Sequence, residues 1–170
     1  MEIIDFEPFV KRKTIVVKSA NYKQMDTMVM IIELGPHEAG LPMHIHPQQH
    51  ETCEVLEGEA DFIIADKTVH AVKGDRIEIP PKTPHAIKNT AASWLRMRDT
   101  LWPALGFEEE LRELHGLVHE GKVTGYRNLK SRIYLSMLCL KYEDVHHPIK
   151  PSFKKMKLLA SVGKFMGYKI

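Results

Sequence analysis

From Thr14 to about Leu101 the apolar positions alternate with polar ones or gather in short β-branched runs, and turn residues separate the runs. Successive side chains of a strand point to opposite faces, so a period near two residues predicts strands rather than helices. The runs are Thr14 to Lys18, Thr27 to Leu34, Thr52 to Leu56, Ala60 to Ile64, Val69 to Val72, Arg76 to Ile79, His85 to Lys88 and Trp94 to Arg98. Gly, Pro, Asn or Asp at Gly35-Pro36, Glu57-Gly58, Asp66-Lys67, Lys73-Gly74-Asp75, Pro80-Pro81 and Asn89-Thr90 supply the turn chemistry between them. Many short strands at close spacing predict an all-β barrel or sandwich.

The period changes after Trp102-Pro103. Phe107, Leu111, Leu114 and Val118 recur every three or four residues, and Glu108, Glu109 and Glu110 sit in the first turn, where the helix dipole favours negative charge. A second helix is predicted from Leu129, Ile133, Met137 and Leu140, ending near Glu143. A last short helix from Phe153 would place Phe153, Met156, Leu159 and Met166 near one stripe, weakened by Gly163 and Gly167. The expected organisation is a β domain over residues 1–102, with its motif core at 25–98, followed by a helical extension over residues 103–170.

Composition narrows the class. With 44% apolar and 27% charged residues in 170, the chain suits one folded domain with an appendage, and neither disorder nor a fibrous class is indicated. Cys53 and Cys139 form no CxxC pair and no disulfide framework, which fits a reducing cytoplasm. No leader-like apolar segment opens the chain and no run reaches the roughly 18 to 20 apolar residues of a spanning helix, so a soluble protein is expected. The net charge of +2 hides an asymmetry: from His146 onward there are six lysines and no acidic residue. No nucleic-acid reading motif accompanies that basic end, and nucleic acid is not an expected partner.

The chemistry concentrates in HIHPQQHETCE, residues 44–54. In a strand His44 and His46 would share a face and offer two imidazoles to one ion. Pro47 breaks the ladder and the chain restarts near Glu51; with Glu51 inward, Cys53 and Val55 face inward too and His50 turns away. Two histidines and a carboxylate suit divalent iron, manganese, nickel, copper or zinc, and His85, after the double-proline turn, can add a fourth ligand.

Two motifs carry a family resemblance. His44, His46, Glu51 and Gly58 have the form His-x-His-x4-Glu-x6-Gly, and Gly74, Pro80, His85 and Asn89 have the form Gly-x5-Pro-x4-His-x3-Asn. Together they resemble the paired motifs of the cupin superfamily, over roughly residues 25–98. The resemblance implies a mainly β fold, a double-stranded β-helix or jelly-roll barrel with a C-terminal helical extension, and metal ligands His44, His46, Glu51 and His85. The first motif's usual leading glycine would fall at Glu38, with Gly40 two positions later, and the second motif's Pro-x-Gly turn reads Pro80-Pro81-Lys82. Trp102-Pro103-Ala104, Gly106-Phe107-Glu108-Glu109 and Met166-Gly167-Tyr168 are similar to bacterial single-barrel cupins with a helical extension. The expected function is metal-dependent binding or transformation of a small organic molecule, with dioxygenase, isomerase and lyase all compatible. A non-enzymatic metal or metabolite sensor is the alternative. A homodimer is implied by the same resemblance.

Other candidates have plainer readings. Cys53 is expected as a small buried hydrophobe. His115 and His119, four apart on a helix, lack a third ligand and are expected at the surface or an interface. His146-His147 before Pro148 reads as a solvated linker. Arg96 and Arg98 could turn in to hold a carboxylate, but Leu95 and Met97 are preferred as the core face. Met25, Met28, Met30 and Met43 offer thioethers for a soft ion, although strand packing explains Met28 and Met30. The lysine-rich end could lie on an anionic membrane with Phe153, Leu159, Phe165 and Met166 inserted. Packing on the barrel or on a second subunit is preferred.

Overall fold

The structure, a computed structural model, describes residues 2–20 and 26–170. Met25 lies outside the described residues. The predicted runs become β2 (Arg12–Lys18), β3 (Met28–Leu34), β5 (His50–Glu57), β6 (Glu59–Ile64), β7 (Lys67–Val72), β8 (Arg76–Ile79), β9 (His85–Lys88) and β10 (Leu95–Trp102). Three short strands join them: β1 (Glu2–Asp5), β4 (His44–Ile45) and β11 (His147–Pro148). All pairings are antiparallel and form two sheets, ordered β1-β2-β3-β10-β5-β8 and β11-β4-β9-β6-β7. Each sheet turns its apolar positions toward the other. Met28, Met30, Ile32 and Leu34 face Phe62 and Ala60 across an interior that also holds Val55, Leu95, Met97 and Leu101. Met28 and Met30 are therefore core residues, as their alternation predicts.

The parity inferred around Glu51 holds along β5, where Glu51, Cys53 and Val55 are buried and His50, Thr52 and Glu54 are not. In β10, Leu95 and Met97 point inward while Arg96 and Arg98 reach outward to Glu33, Glu57 and Glu54.

The helices are α1 (Phe107–His119), α2 (Leu129–Lys141), whose N-cap Asn128 accepts from the Ser131 N–H at 3.2 Å, and α3 (Phe153–Phe165). The stripe expected on α3 is rotated. Met156, Ala160 and Gly163 face the protein, Leu159 is only partly buried and Met166 is 55% exposed. The cause is close helix packing: a Cβ at Gly163 would stand 2.5 Å from Ile133 Cγ2 and 2.9 Å from Met137 Sδ of α2. Small residues, which look like weaknesses in the sequence, set the contact face here.

Two turn positions bear on the site. Gly40 has φ +59°, and a side chain there would drive its Cβ to 2.6 Å from the Ile87 carbonyl oxygen. Lys82 stands where the resembling motif carries glycine and adopts φ +65°, while its N–H donates to the carbonyl of His46 at 2.8 Å. The left-handed conformation costs an ordinary residue about 1–2 kcal/mol, and the extra freedom of glycine in the unfolded chain offsets about 0.4–1 kcal/mol of the relief. The Lys82 side chain is exposed and loses no packing when removed. Lys82→Gly should therefore raise unfolding free energy by about 0.5–1 kcal/mol, read from urea titration.

Candidate metal centre

His44 and His85 face each other across the β4–β9 pair, His46 follows directly after β4, and Glu51 enters from β5 in the opposite sheet. The bend through Pro47 and Gln48 carries the chain from one sheet to the other, so one short stretch of sequence feeds both walls of the barrel. His44, His46, Glu51 and His85 are 5%, 3%, 5% and 1% exposed. They offer one ligand atom each, all within 4.8 Å of one another.

The imidazoles are oriented by backbone. His44 Nδ1 lies 2.8 Å from the Pro42 carbonyl, His46 Nδ1 2.8 Å from the Val145 carbonyl, and His85 Nδ1 2.9 Å from the Thr83 carbonyl. A carbonyl oxygen only accepts, so each Nδ1 carries the proton and each Nε2 of the neutral ring keeps a free lone pair. Ring orientation through the second nitrogen is how metal-binding histidines are usually held. Glu51 is oriented similarly: the Cys53 thiol donates to its Oε1 at 3.4 Å.

Its other oxygen has no such partner. Glu51 Oε2 lies 3.5 Å from His46 Nε2 and 2.9 Å from His85 Nε2, yet Oε2 and His85 Nε2 are both buried without hydrogen-bond geometry to any atom. Buried polar atoms in folded proteins are rarely left without a partner. A carboxylate oxygen and an imidazole nitrogen left in this way, with the Nε2 atoms of His44 and His46 beside them, fit the donor set of a divalent transition metal.

The protonation directions agree. Burial and the neighbouring His146, His85 and His46 hold His44 well below the usual imidazole range, and burial holds His46 at about 4. Burial alone would raise the Glu51 carboxyl, but His85, His46 and the Cys53 thiol outweigh it and hold it at about 2. Burial pushes His85 down, and Glu51 more than compensates, so it rises. Burial and the nearby Asp99 and Glu51 push Cys53 up, which keeps it a thiol donor.

The helical extension reaches the site. Phe107 at the start of α1 packs on His46 with ring centroids 5.6 Å apart, and Val145 supplies the carbonyl noted above. His146 is not a solvated linker residue: its side chain is 15% exposed, its ring lies 4.9 Å from that of His44, and its Nδ1 lies 2.9 Å from Glu110 Oε1. Burial opposes charge on His146, but Glu110 and Cys139 prevail and raise it to about 10. It therefore carries a proton in a strut to α1, although Glu110, Cys139 and His146 also lie within ligand distance of one another. The β11–β4 pair ties His147 to Ile45 and Pro148 to His44, so the extension is hydrogen-bonded to the strand bearing a candidate ligand.

Other predicted candidates stay outside. His50 is exposed at the start of β5. His119 Nε2 meets the Asp5 carbonyl at 3.1 Å and its ring lies tilted beside that of His115, with no third ligand among the described residues. Arg96 and Arg98 face solvent; the arginine that turns inward is Arg12, 4% exposed. Sequence parity could not select it, because Ile15 and Val17 on the other face of β2 are as apolar as Val16 on its own.

A family model described as the cupin domain matches residues 30–101, the stretch that contains all four candidate ligands. Residues 30–101 are a cupin domain. An uncharacterized protein of Methanocaldococcus jannaschii is 33% identical over 67 residues, 39% of this chain and 54% of that protein, so the chain spans about half the length of the curated relative it matches. Among solved structures, KdgF from Halomonas sp. is similar with TM-score 0.52 and 17% identity, over 61% of this cupin and 86% of that chain. The cupin domain of Cnp3 from Schizosaccharomyces pombe gives TM-score 0.52 at 13% identity, over 66% and 75% of the two chains. An RmlC-like cupin from Shewanella frigidimarina gives 0.51 at 21%, over 61% and 84%. These likenesses are of fold.

The pH dependence of the metal-free cupin follows from the histidines. His44 and His46 have native values below the unfolded 6.5, so the unfolded chain binds more protons and stability falls as pH drops from 6.5 toward 4. His85 and His146 have raised values; their contribution is complete below 6.5 and is lost as pH rises through their native values, about 10 for His146. Urea midpoints of metal-free protein between pH 4.5 and 9 should peak near pH 6.5. A midpoint that climbs steadily across that range would contradict the assigned protonation states.

Proposed function

We propose that this cupin holds one divalent transition metal through the Nε2 atoms of His44, His46 and His85 and a carboxylate oxygen of Glu51, and that a small organic molecule is bound or transformed beside it. The reading is supported above all by the buried, unpartnered Glu51 Oε2 and His85 Nε2 in a ring of backbone-oriented imidazoles. A bound divalent ion would supply Lewis acidity toward an oxygen ligand. The chain's own residues do the rest: the carbonyls of Pro42, Thr83 and Val145 fix the ring protons, Cys53 orients Glu51, and Phe107 and Val145 restrict water. The fold alone does not select a reaction, since one architecture hosts many chemistries. Iron, manganese, nickel, copper and zinc all accept this donor set. The two cysteines are free and buried, which suits a reducing compartment such as the cytoplasm.

Elemental analysis of protein loaded with each of these ions and then dialysed should find one ion per chain for at least one of them. His85→Ala should lose most of that ion while its far-ultraviolet dichroism stays that of the wild type. A wild-type chain that retains none of the five ions overturns the reading.

A second role is supported by α3. No helix is long and apolar enough to cross a membrane. Leu158, Val162, Phe165 and Met166 are 65%, 40%, 94% and 55% exposed and lie along one outward face, beside Lys154 and Lys155 at its start. Phe153 and Leu159, expected in that face, are partly buried instead. An exposed apolar stripe on a segment with six lysines and no acid matches an anionic lipid surface in both charge and hydrophobicity. The intact protein should co-sediment with phosphatidylserine vesicles and not with phosphatidylcholine vesicles, and Phe165→Ser with Leu158→Ser should abolish it. Concentration-dependent dimerisation lost in the same double variant, without vesicle binding, would assign the face to a second copy.

A further inference from the structure

The interior contains a cation that the candidate metal ligands do not explain. Arg12 opens β2, is 4% exposed, and lines the same cavity as His44, His46 and Glu51. Its Nε has no hydrogen-bond partner, and among the described residues the side chain makes no hydrogen bond and no ion pair within 4.0 Å. Its guanidinium lies over the Phe6 ring at 5.5 Å, which offers weak attraction and accepts none of its five N–H groups in a fork. Two residues along the same face of β2, Thr14 is 0% exposed and its hydroxyl is also without a partner.

Buried charges in folded proteins are paired or neutralised, because desolvating an unpaired ion is costly. Asp99, the other carboxyl on the cavity, is not within ion-pair distance of Arg12 among the described residues. A divalent ion at the three neutral imidazoles and Glu51 would add a positive excess to the charge already present on Arg12. An anion between them answers both.

We propose that Arg12, with Thr14 beside it, forms an anion subsite next to the candidate metal position, and that its occupant is the carboxylate of a small organic acid; this rests on the metal-binding reading above. The planar fork of a guanidinium matches a planar carboxylate. Formate is the smallest carboxylate that can probe this cavity.

The test is calorimetric titration of sodium formate into metal-loaded and metal-free full-length protein, with formamide and sodium sulfate as comparison probes. Formate should bind once per chain, while formamide, of the same shape without the charge, and sulfate, larger and tetrahedral, should not. Arg12→Met should weaken formate about tenfold to a hundredfold, the worth of a charge-assisted pair. It should keep the wild-type metal content and be at least as stable as the wild type in formate-free buffer, since it removes an unpaired buried charge; Arg12→Lys should recover only part of the affinity. Unchanged formate affinity in Arg12→Met with metal retained overturns the subsite and leaves the metal reading standing. Formate binding through Arg12 in a chain that holds none of the five ions sustains the subsite while that reading fails. If Arg12→Met does not fold, the wild type decides: formate should raise its melting temperature and formamide should not, and equal effects overturn the proposal.

Discussion

Three hydrogen bonds from imidazole Nδ1 groups to backbone carbonyls are the constraint on which the barrel centre depends. Without them each ring could turn its proton inward and the four side chains would satisfy one another as an ordinary buried network. With the carbonyls of Pro42, Thr83 and Val145 taking the Nδ1 protons, the three Nε2 atoms face one another and the Glu51 carboxylate, and Glu51 Oε2 and His85 Nε2 are left buried without hydrogen-bond geometry. Such an arrangement destabilises the chain on its own: each buried polar group left without a partner costs about 1–3 kcal/mol. The surrounding core of Met28, Met30, Leu34, Phe62, Leu95 and Met97 holds these groups in place despite that cost. Sites that violate the rules of stable packing in this way are where function is expected.

Two of those carbonyls are local, two residues before His44 and His85, and come with the turns that introduce the strands. The third comes from Val145, 99 residues after His46 and beyond α2. The orientation of His46 therefore depends on the docking of the extension, which is itself secured by the β4–β11 pair, by His146 against Glu110, and by the close α2–α3 contact at Gly163. Barrel and extension are coupled through one ring nitrogen. Weakening the extension would loosen a candidate ligand without touching any residue of the paired motifs.

The strands and candidate ligands were legible because they obey short-range rules. Alternation marks β5 and β10 and assigns Glu51, Cys53, Leu95 and Met97 to the inside, strand parity puts His44 and His46 on one face, and the resemblance of the paired motifs adds His85. What escaped depends on tertiary contact. β1 is four residues with acids at both ends and has no room to show a period. Arg12 is turned inward by the register of β2 on β3, where Arg12 stands opposite Leu34, and no local pattern separates the two faces of that strand. His146 reads as a polar linker until α1 brings Glu110 to it. The α3 stripe was misplaced because hydrophobic periodicity weighs large side chains, whereas the contact with α2 is made by Ala160 and Gly163, residues chosen for what they lack.

The same extension contributes to the wall of the barrel's cavity. That cavity, about 30 Å³, has Phe107 of the extension against His46 and the barrel's own Gly40 and Leu41 along the adjoining wall. A chamber of about 190 Å³ lies beyond Leu41 and His146, between the helices, and is mostly apolar. The barrel's cavity holds the candidate metal ligands and Arg12, whereas the larger space is lined by Glu110, Arg132 and His146 of the extension. Barrel and extension thus share the wall around the candidate site, and they meet at Val145 and His146, where the β4–β11 pair joins them.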